Sequence, residues 1–169
     1  YFNSAGPFPN QYGRTKGFTY EGGIRIPMIA TWPGKISPGT QSNLISAFYD
    51  VLPTLCEAGG INLPENIDGI SFLPELLGQM EQPRHDFLYW EFPSYKGQQA
   101  ERMGDWKGIR ANMFEGNRAI ELYNLKHDPM ETTNLAAEHP EVVAQIDSIM
   151  SLSHEEPALH NLDIFKSDQ

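Results

Sequence analysis

The segment over residues 16–34 constrains the fold most strongly, because a polar loop runs directly into an apolar stretch. Gly22 and Gly23 allow the backbone to turn tightly where a Cβ would clash. The apolar residues that follow first alternate with other residues and then form a short run, which is typical of a strand covered on both faces. Pro27 cannot donate to a β-ladder and indicates a strand start, a bulge or a sheet edge. We therefore predict a strand over 24–32.

A helix is predicted over 50–60. Asp50 suits the N-cap, Pro53 falls in the first turn where its missing N–H costs nothing, and Gly59 suits the position after the last turn. A second short strand is predicted over 43–48, between turns rich in Pro and Gly.

After residue 83 the sequence favours an antiparallel sheet, because short aromatic and β-branched runs follow one another closely. Gly104 and Asp105 give a strong hairpin signal. Pro140 then begins a segment with one apolar stripe at helical spacing, which predicts a helix over 140–150. The fold class is therefore α+β, a small antiparallel sheet of about four strands packed by a C-terminal helix. The predicted strands are 85–92, 100–103, 106–110 and 120–125.

Composition and charge exclude several classes of protein. Acidic residues exceed basic ones by 10 in 169 residues, which disfavours a nucleic-acid-binding or anionic-membrane surface. No apolar run approaches the length of a membrane span. The single cysteine, Cys56, excludes an internal disulfide and a cysteine-rich metal site. The five histidines are widely spaced and show no metal-ligand pattern, so we predict no metal site within this chain.

The pattern Lys-x-x-x-Tyr-Glu-Gly-Gly-Ile-Arg-x-Pro, followed by Trp-Pro-Gly, fills residues 16–34 and resembles a segment of type I sulfatases. Further stretches at 50–60, 104–110 and 121–135 resemble the same family, which belongs to the alkaline phosphatase superfamily. The resemblance implies the C-terminal part of such an enzyme. It divides the chain into the end of an α/β catalytic domain (1–82), a sheet-plus-helix subdomain (83–152) and a polar tail (153–169).

By this resemblance Lys16 matches the lysine that contacts the substrate sulfate. The family's formylglycine nucleophile arises from a Cys-x-Pro-x-Arg motif. Cys56 lacks that context and is expected to be a small core residue. The resemblance thus implies that formylglycine and calcium belong to the intact parent, that this chain lacks an N-terminal core as its partner, and that it is inactive alone. It also implies export to the periplasm, the cell exterior or the lysosome.

Further substrate-binding candidates lie close to Lys16 and in the polar stretch over 91–102. Tyrosine can stack on a sugar ring, whereas amide and cationic side chains can bind hydroxyl or second anionic groups. The alternative for 91–102 is an exposed hairpin loop without function. The candidates are Tyr12, Arg14, Tyr95, Lys96, Gln98 and Gln99.

Residues 1–23 are rich in Gly, Pro, Asn and Gln and are expected to form an irregular loop that is mobile or docks abnormally without its partners. Within it, Tyr20, Glu21 and the following Arg25 are interpreted as structural residues that hold the loop. Two other functions stay open at this point. One is a noncatalytic module that binds sulfated glycans, and the other is part of a related phosphoester or phosphonate hydrolase. The sequence gives no oligomeric state.

Overall fold

The computed structural model describes residues 6–9 and 11–155. They fall into two compact units, one formed by residues up to 26 together with those from 89 onward, and one formed by 27–88. The loop before residue 27 therefore groups with the sheet. The domain boundaries predicted at 82 and 152 stay a prediction.

The first unit is built on a four-stranded sheet with the strand order β1-β2-β3-β4. The strands are β1 (Leu88–Phe92), β2 (Gln98–Met103), β3 (Trp106–Ala111) and β4 (Glu121–Asn124). The helices of the whole described chain are α1 (Glu21–Ile24), α2 (Val51–Gly59), α3 (Leu73–Leu76) and α4 (Pro140–Ser153). Strand β3 pairs antiparallel with both β2 and β4, and Gly104 and Asp105 form the β2–β3 turn. The predicted α+β class is confirmed.

Helix α4 covers one side of the sheet, which we call the helix face. Ile146 and Met150 of α4 are fully buried and form a cluster with Ile120 and Leu122. The predicted apolar stripe thus packs as expected, and Pro140 stands in the first turn. Among the described residues, no helix combines the length and apolar character needed to cross a bilayer.

The opposite side of the sheet, the loop face, is covered by the segment before residue 27. Tyr20 of this segment packs in a buried cluster with Ala100, Ile109 and Tyr123. Because successive side chains of a strand point to opposite faces, the two faces receive alternate residues of β2 and β3. The segment was expected to be mobile or docked, and residues 19–21 are docked, since they are buried and Tyr20 packs on the sheet.

The second unit, 27–88, contains α2 and α3, and the predicted helix over 50–60 is confirmed. Asp50 is buried, and its carboxylate accepts hydrogen bonds from the backbone N–H of Ala47 at 2.7 Å and of Ile70 at 2.8 Å. The residue with positive φ at the end of α2 is Gly60 (φ 64°), one residue beyond the position predicted for Gly59. Cys56 is buried, as expected for a core residue.

The strands predicted over 24–32 and 43–48 are wrong. Residue 24 ends α1, and residues 25–32 and 43–47 form no strand. Ile26, Met28 and Ile29 are between 55% and 93% exposed. Apolar periodicity marks residues that favour burial, but a strand forms only where a neighbour accepts its N–H groups and donates to its carbonyls. No described strand lies beside these segments.

Candidate functional site

A pocket of about 310 Å³ lies in the sheet unit, between the loop over 11–20 and the turn that joins β1 to β2. It is lined by Gln11, Tyr12, Gly13, Arg14, Phe18, Tyr20, Tyr95, Lys96, Gln98, Ala111 and Asn112. Of the substrate-binding candidates from the sequence, only Gln99 is absent from this lining. Residues from two distant parts of the chain therefore meet at one cavity.

The turn at 95–97 has an unusual backbone. Tyr95 (φ 52°), Lys96 (φ 73°) and Gly97 (φ 74°) all have left-handed conformations, which cost energy for residues other than glycine. The carbonyls of Lys96 and Gly97 accept hydrogen bonds from the backbone N–H of Phe114 at 2.9 Å and of Met113 at 3.2 Å. These bonds hold the turn in place, so the side chains of Tyr95 and Lys96 are presented at the pocket by a fixed backbone.

Aromatic rings form one wall of the pocket. The ring of Phe18 lies between Tyr12, at a centroid distance of 5.3 Å, and Tyr95, at 4.8 Å. Gly17 makes this approach possible, because a Cβ there would lie 2.4 Å from the Tyr95 ring. Tyr12 is 86% exposed and Tyr95 is 49% exposed. Both rings can therefore stack against the apolar face of a sugar.

Two cationic side chains contribute to the pocket, in different ways. The Arg14 guanidinium lies over the Tyr20 ring at 4.4 Å and donates to the Glu131 carbonyl at 2.6 Å, so its orientation is fixed. The Lys96 Nζ lies 2.7 Å from the Glu115 carboxylate in solvent, and this hydrogen bond raises the pKa of Lys96. Lys96 is therefore a cation throughout the physiological pH range and can exchange Glu115 for another anion.

Gln98 and Gln99 are both fully buried, so the alternative of an exposed hairpin loop is wrong for these two residues. Gln98 Oε1 accepts from the backbone N–H of Thr19 at 3.1 Å, and its Nε2 donates to the Gly17 carbonyl at 3.0 Å. Gln99 lies on the helix face, where its Nε2 donates to the Tyr89 hydroxyl and its Oε1 accepts from Arg110. Gln98 thus ties the loop to the sheet. Gln99 points away from the pocket. Its position therefore does not support the predicted contact with a sugar.

Lys16 is exposed, and it makes no hydrogen bond or ion pair with the rest of the described chain. It is absent from the pocket lining, but the next residue, Gly17, contacts the Tyr95 ring. Its ammonium group is therefore exposed and available to a ligand.

Glu121 and Tyr123 were not singled out from the sequence, and Tyr20 was interpreted there only as a residue that holds the loop. Tyr20 and Tyr123 both donate hydroxyl hydrogen bonds of 2.6 Å to the same Glu121 oxygen. Burial and this carboxylate raise the pKa of both tyrosines, so both remain neutral donors. Tyr20 and Tyr123 each lie within a segment that resembles the sulfatases, but sequence spacing gives no indication that they share one partner.

The part of the chain that the structure describes does not fit a calcium ion or a formylglycine nucleophile. Over the described ranges, no group of three or more acidic, histidine or cysteine side chains is placed to hold a metal ion. Cys56 is buried in α2 rather than directed into a cavity. The functional groups that the described residues present at the pocket are therefore cations, hydroxyls and aromatic rings.

Comparison with known proteins places these features in a family. The chain is 35% identical over 167 residues to arylsulfatase A of Homo sapiens, covering 81% of this chain and 32% of the relative. The solved structure of BT4656 in complex with its substrate D-glucosamine-2-N,6-O-disulfate has a TM-score of 0.67 and 27% identity, covering 78% of this chain and 28% of that one. Phosphonate monoester hydrolase of Agrobacterium radiobacter has a TM-score of 0.50 and 26% identity, covering 66% of this chain and 25% of that one.

The chain thus spans about a third or less of the length of the relatives it matches. The family model for the C-terminal part of N-sulphoglucosamine sulphohydrolase matches residues 13–156, which include the sheet, α4 and all of the pocket lining except Gln11 and Tyr12. This chain belongs to that family of sulfatase C-terminal regions.

Proposed function

We propose that this chain is the C-terminal part of a sulfatase that hydrolyses a sulfated carbohydrate or an aryl sulfate. Its contribution is the sulfate-contacting Lys16 and one wall of the substrate pocket. The observation that carries the proposal is the meeting of Tyr12, Arg14, Tyr95 and Lys96 at one cavity, in a chain of the sulfatase family.

The chemistry of the pocket supports a sulfated ring as ligand. The exposed faces of Tyr12 and Tyr95 suit the apolar face of a sugar or an aryl group. Lys16 and Lys96 are exposed cations that can contact sulfate oxygens. The chain has a net charge of −10, so these local cations must hold an anion against an unfavourable background.

The nucleophile and the metal ion of the reaction belong, in this proposal, to the remaining part of the parent protein. That part is the partner of this chain, and it would supply calcium and formylglycine. The isolated chain would bind substrate weakly and would not turn it over. The resemblance to sulfatases further supports export of the parent, to the periplasm, the cell exterior or the lysosome.

Lys16→Ala in the full-length protein tests the proposal. A lysine that stabilises charge on a sulfate oxygen in the transition state acts like an oxyanion-hole donor, whose loss lowers the rate about 10²-fold or more. The measurement is kcat/KM on an aryl sulfate and on a sulfated glucosamine. Lys35→Ala, which replaces another exposed lysine, is the control and leaves kcat/KM unchanged.

Three outcomes would contradict the proposal. Turnover by the Lys16→Ala variant close to that of the wild type would remove Lys16 from the site. Faster hydrolysis of a phosphonate monoester than of any sulfate ester would instead favour the reaction named for the Agrobacterium radiobacter relative. Binding of sulfated glycans without any hydrolysis would favour a noncatalytic module.

A further inference from the structure

Three separate sequence segments meet at one buried group of charges. Lys107 Nζ lies 2.8 Å from Glu21 Oε1 and 2.8 Å from Glu131 Oε1. Lys107 is fully buried, and Glu21 and Glu131 are 3% and 1% exposed. We call Glu21, Lys107 and Glu131 the Lys107 cluster. Its members come from the loop before the sheet, from β3 and from the turn after β4.

Burial makes these contacts costly to break. Removing one partner of a buried ion pair leaves an uncompensated charge, whereas exposed ion pairs contribute little. Burial raises the pKa of the Glu131 carboxyl, and the neighbouring Lys107 ammonium offsets part of that rise. The position of each member of the Lys107 cluster is therefore determined by the other two.

Glu131 contacts the loop at two points, one on each side of Lys16. Its backbone carbonyl accepts from Arg14 Nη1 at 2.6 Å, and its Oε2 accepts from the backbone N–H of Glu21 at 2.7 Å. Glu131 itself has a left-handed backbone (φ 54°), which is unfavourable for a residue other than glycine and is maintained by surrounding contacts. The segment that carries Lys16 is therefore attached at both of its ends to the same residue.

We propose that the Lys107 cluster is a positioning device for the sulfate-binding loop. Lys107 and Glu131 fix the loop over 14–21 on the sheet, so that Lys16 and Arg14 are presented to substrate in one arrangement. Neither residue touches the substrate, so both are positioning residues. The inference rests on the proposed function for its effect on activity, but the attachment of the loop can be measured independently of any activity.

Amide hydrogen exchange in the full-length protein tests the attachment. Glu131→Gln keeps the shape of the side chain but removes its charge, and Lys107→Met removes the cation. Both variants should lower the protection of amides in 14–21 about tenfold or more. Lys107→Met removes both ion pairs of the cluster, and Glu131→Gln removes the charge of the carboxylate that holds Lys107 and the Glu21 N–H. Amides of β3 (106–111) should keep their protection. Lys126→Met, which removes a loose, exposed ion pair with Asp105, is the control and changes neither region.

The kinetic test separates positioning from general stability. With Lys16 misplaced, kcat on the preferred sulfate ester should fall about tenfold or more while sheet protection is retained. Lys107→Arg keeps the cation and should recover much of that loss.

Each remaining outcome decides against part of the proposal. Unchanged exchange in 14–21 would show that the Lys107 cluster does not hold the loop. Equal loss of protection in the loop and in β3 for both variants would make the cluster an ordinary core contact. Released loop amides with unchanged kinetic constants would overturn the link to substrate. A wild-type protein without sulfatase activity would overturn the proposed function, while the exchange data would still decide the attachment.

Discussion

Glu101 lies in β2 opposite Gly108, on the helix face of the sheet. Its side chain is fully buried, and neither carboxylate oxygen has a hydrogen-bond partner among the described residues. Burial raises the pKa of this carboxyl from 4.5 to about 7. Below pH 4.5 the group is protonated in both states. As the pH rises to about 7 the unfolded chain ionises first, so the folded state loses stability, by about 3 kcal/mol in total.

Replacing Glu101 by Gln should therefore stabilise the protein at high pH only. The Glu101→Gln variant should unfold at the same temperature as the wild type at pH 4.5 and at a higher temperature at pH 8. Calorimetric melting temperatures at the two pH values measure the difference. Glu138→Gln, which removes an exposed carboxylate, is the control. A variant less stable than the wild type at pH 8 would show that Glu101 is ionised and satisfied in the folded protein.

At the scale of single residues, the sequence predicted which side chains reach the pocket better than it predicted how deeply side chains are buried. Tyr12, Arg14, Tyr95 and Lys96 were chosen for their chemistry, and they do meet at the pocket. For the polar stretch over 91–102 the sequence left two possibilities, a substrate-binding loop and an exposed hairpin loop without function. Gln98, Gln99 and Glu101 instead form the buried strand β2, where partners from distant segments satisfy the two amides. Such partners cannot be read from local composition.

At the scale of helices and strands, α4 packs closely against the sheet at Gly108. A Cβ added there would lie 2.5 Å from Cγ2 of Ile146 and 3.1 Å from Cγ2 of Ile120. Gly108→Ala should therefore destabilise the protein by about 1–3 kcal/mol through overpacking. Ile146→Ala alone should cost about 2–5 kcal/mol through the cavity it leaves.

The double variant Gly108→Ala, Ile146→Ala should cost less than the two single changes together, because the new methyl group occupies part of the cavity. Urea unfolding of the four proteins gives the coupling free energy. Gly59→Ala in α2 is the control, since its nearest side-chain contact would be an ordinary 3.4 Å. Strict additivity would show that α4 moves away from the sheet in the Gly108→Ala variant.

Helices were the elements most easily predicted where their first turn and apolar stripe could be recognised within the segment itself. Helix α4 was found because its stripe, its initial proline and its length are local properties. The strand expected over 24–32 failed because a strand depends on a neighbour, which the sequence pattern does not specify. The hairpin of β2 and β3 was predictable because that neighbour is adjacent in the chain.

At the scale of the whole molecule, the unit over 27–88 exposes many large apolar side chains. Leu55 on α2 is 63% exposed, and Ile61 and Leu63 after α2 are 66% and 48% exposed. Exposed apolar side chains of this kind can mark a surface that contacts another protein segment. In the parent sulfatase proposed above, we expect the rest of the protein to cover this surface. The resemblance to sulfatases implied an N-terminal core as the partner of this chain. It did not indicate which side chains of this chain would contact that core.

Leu55→Gln should then have opposite effects in two contexts. In the isolated chain the change removes exposed apolar surface and should increase the soluble fraction after expression. In the full-length protein it places an amide in a buried contact and should lower the melting temperature, at a cost of about 2 kcal/mol or more. Glu57→Gln on the same helix, a change between exposed polar side chains, should alter neither quantity. An unchanged melting temperature of the full-length variant would mean that this side of α2 faces solvent in the intact protein as well.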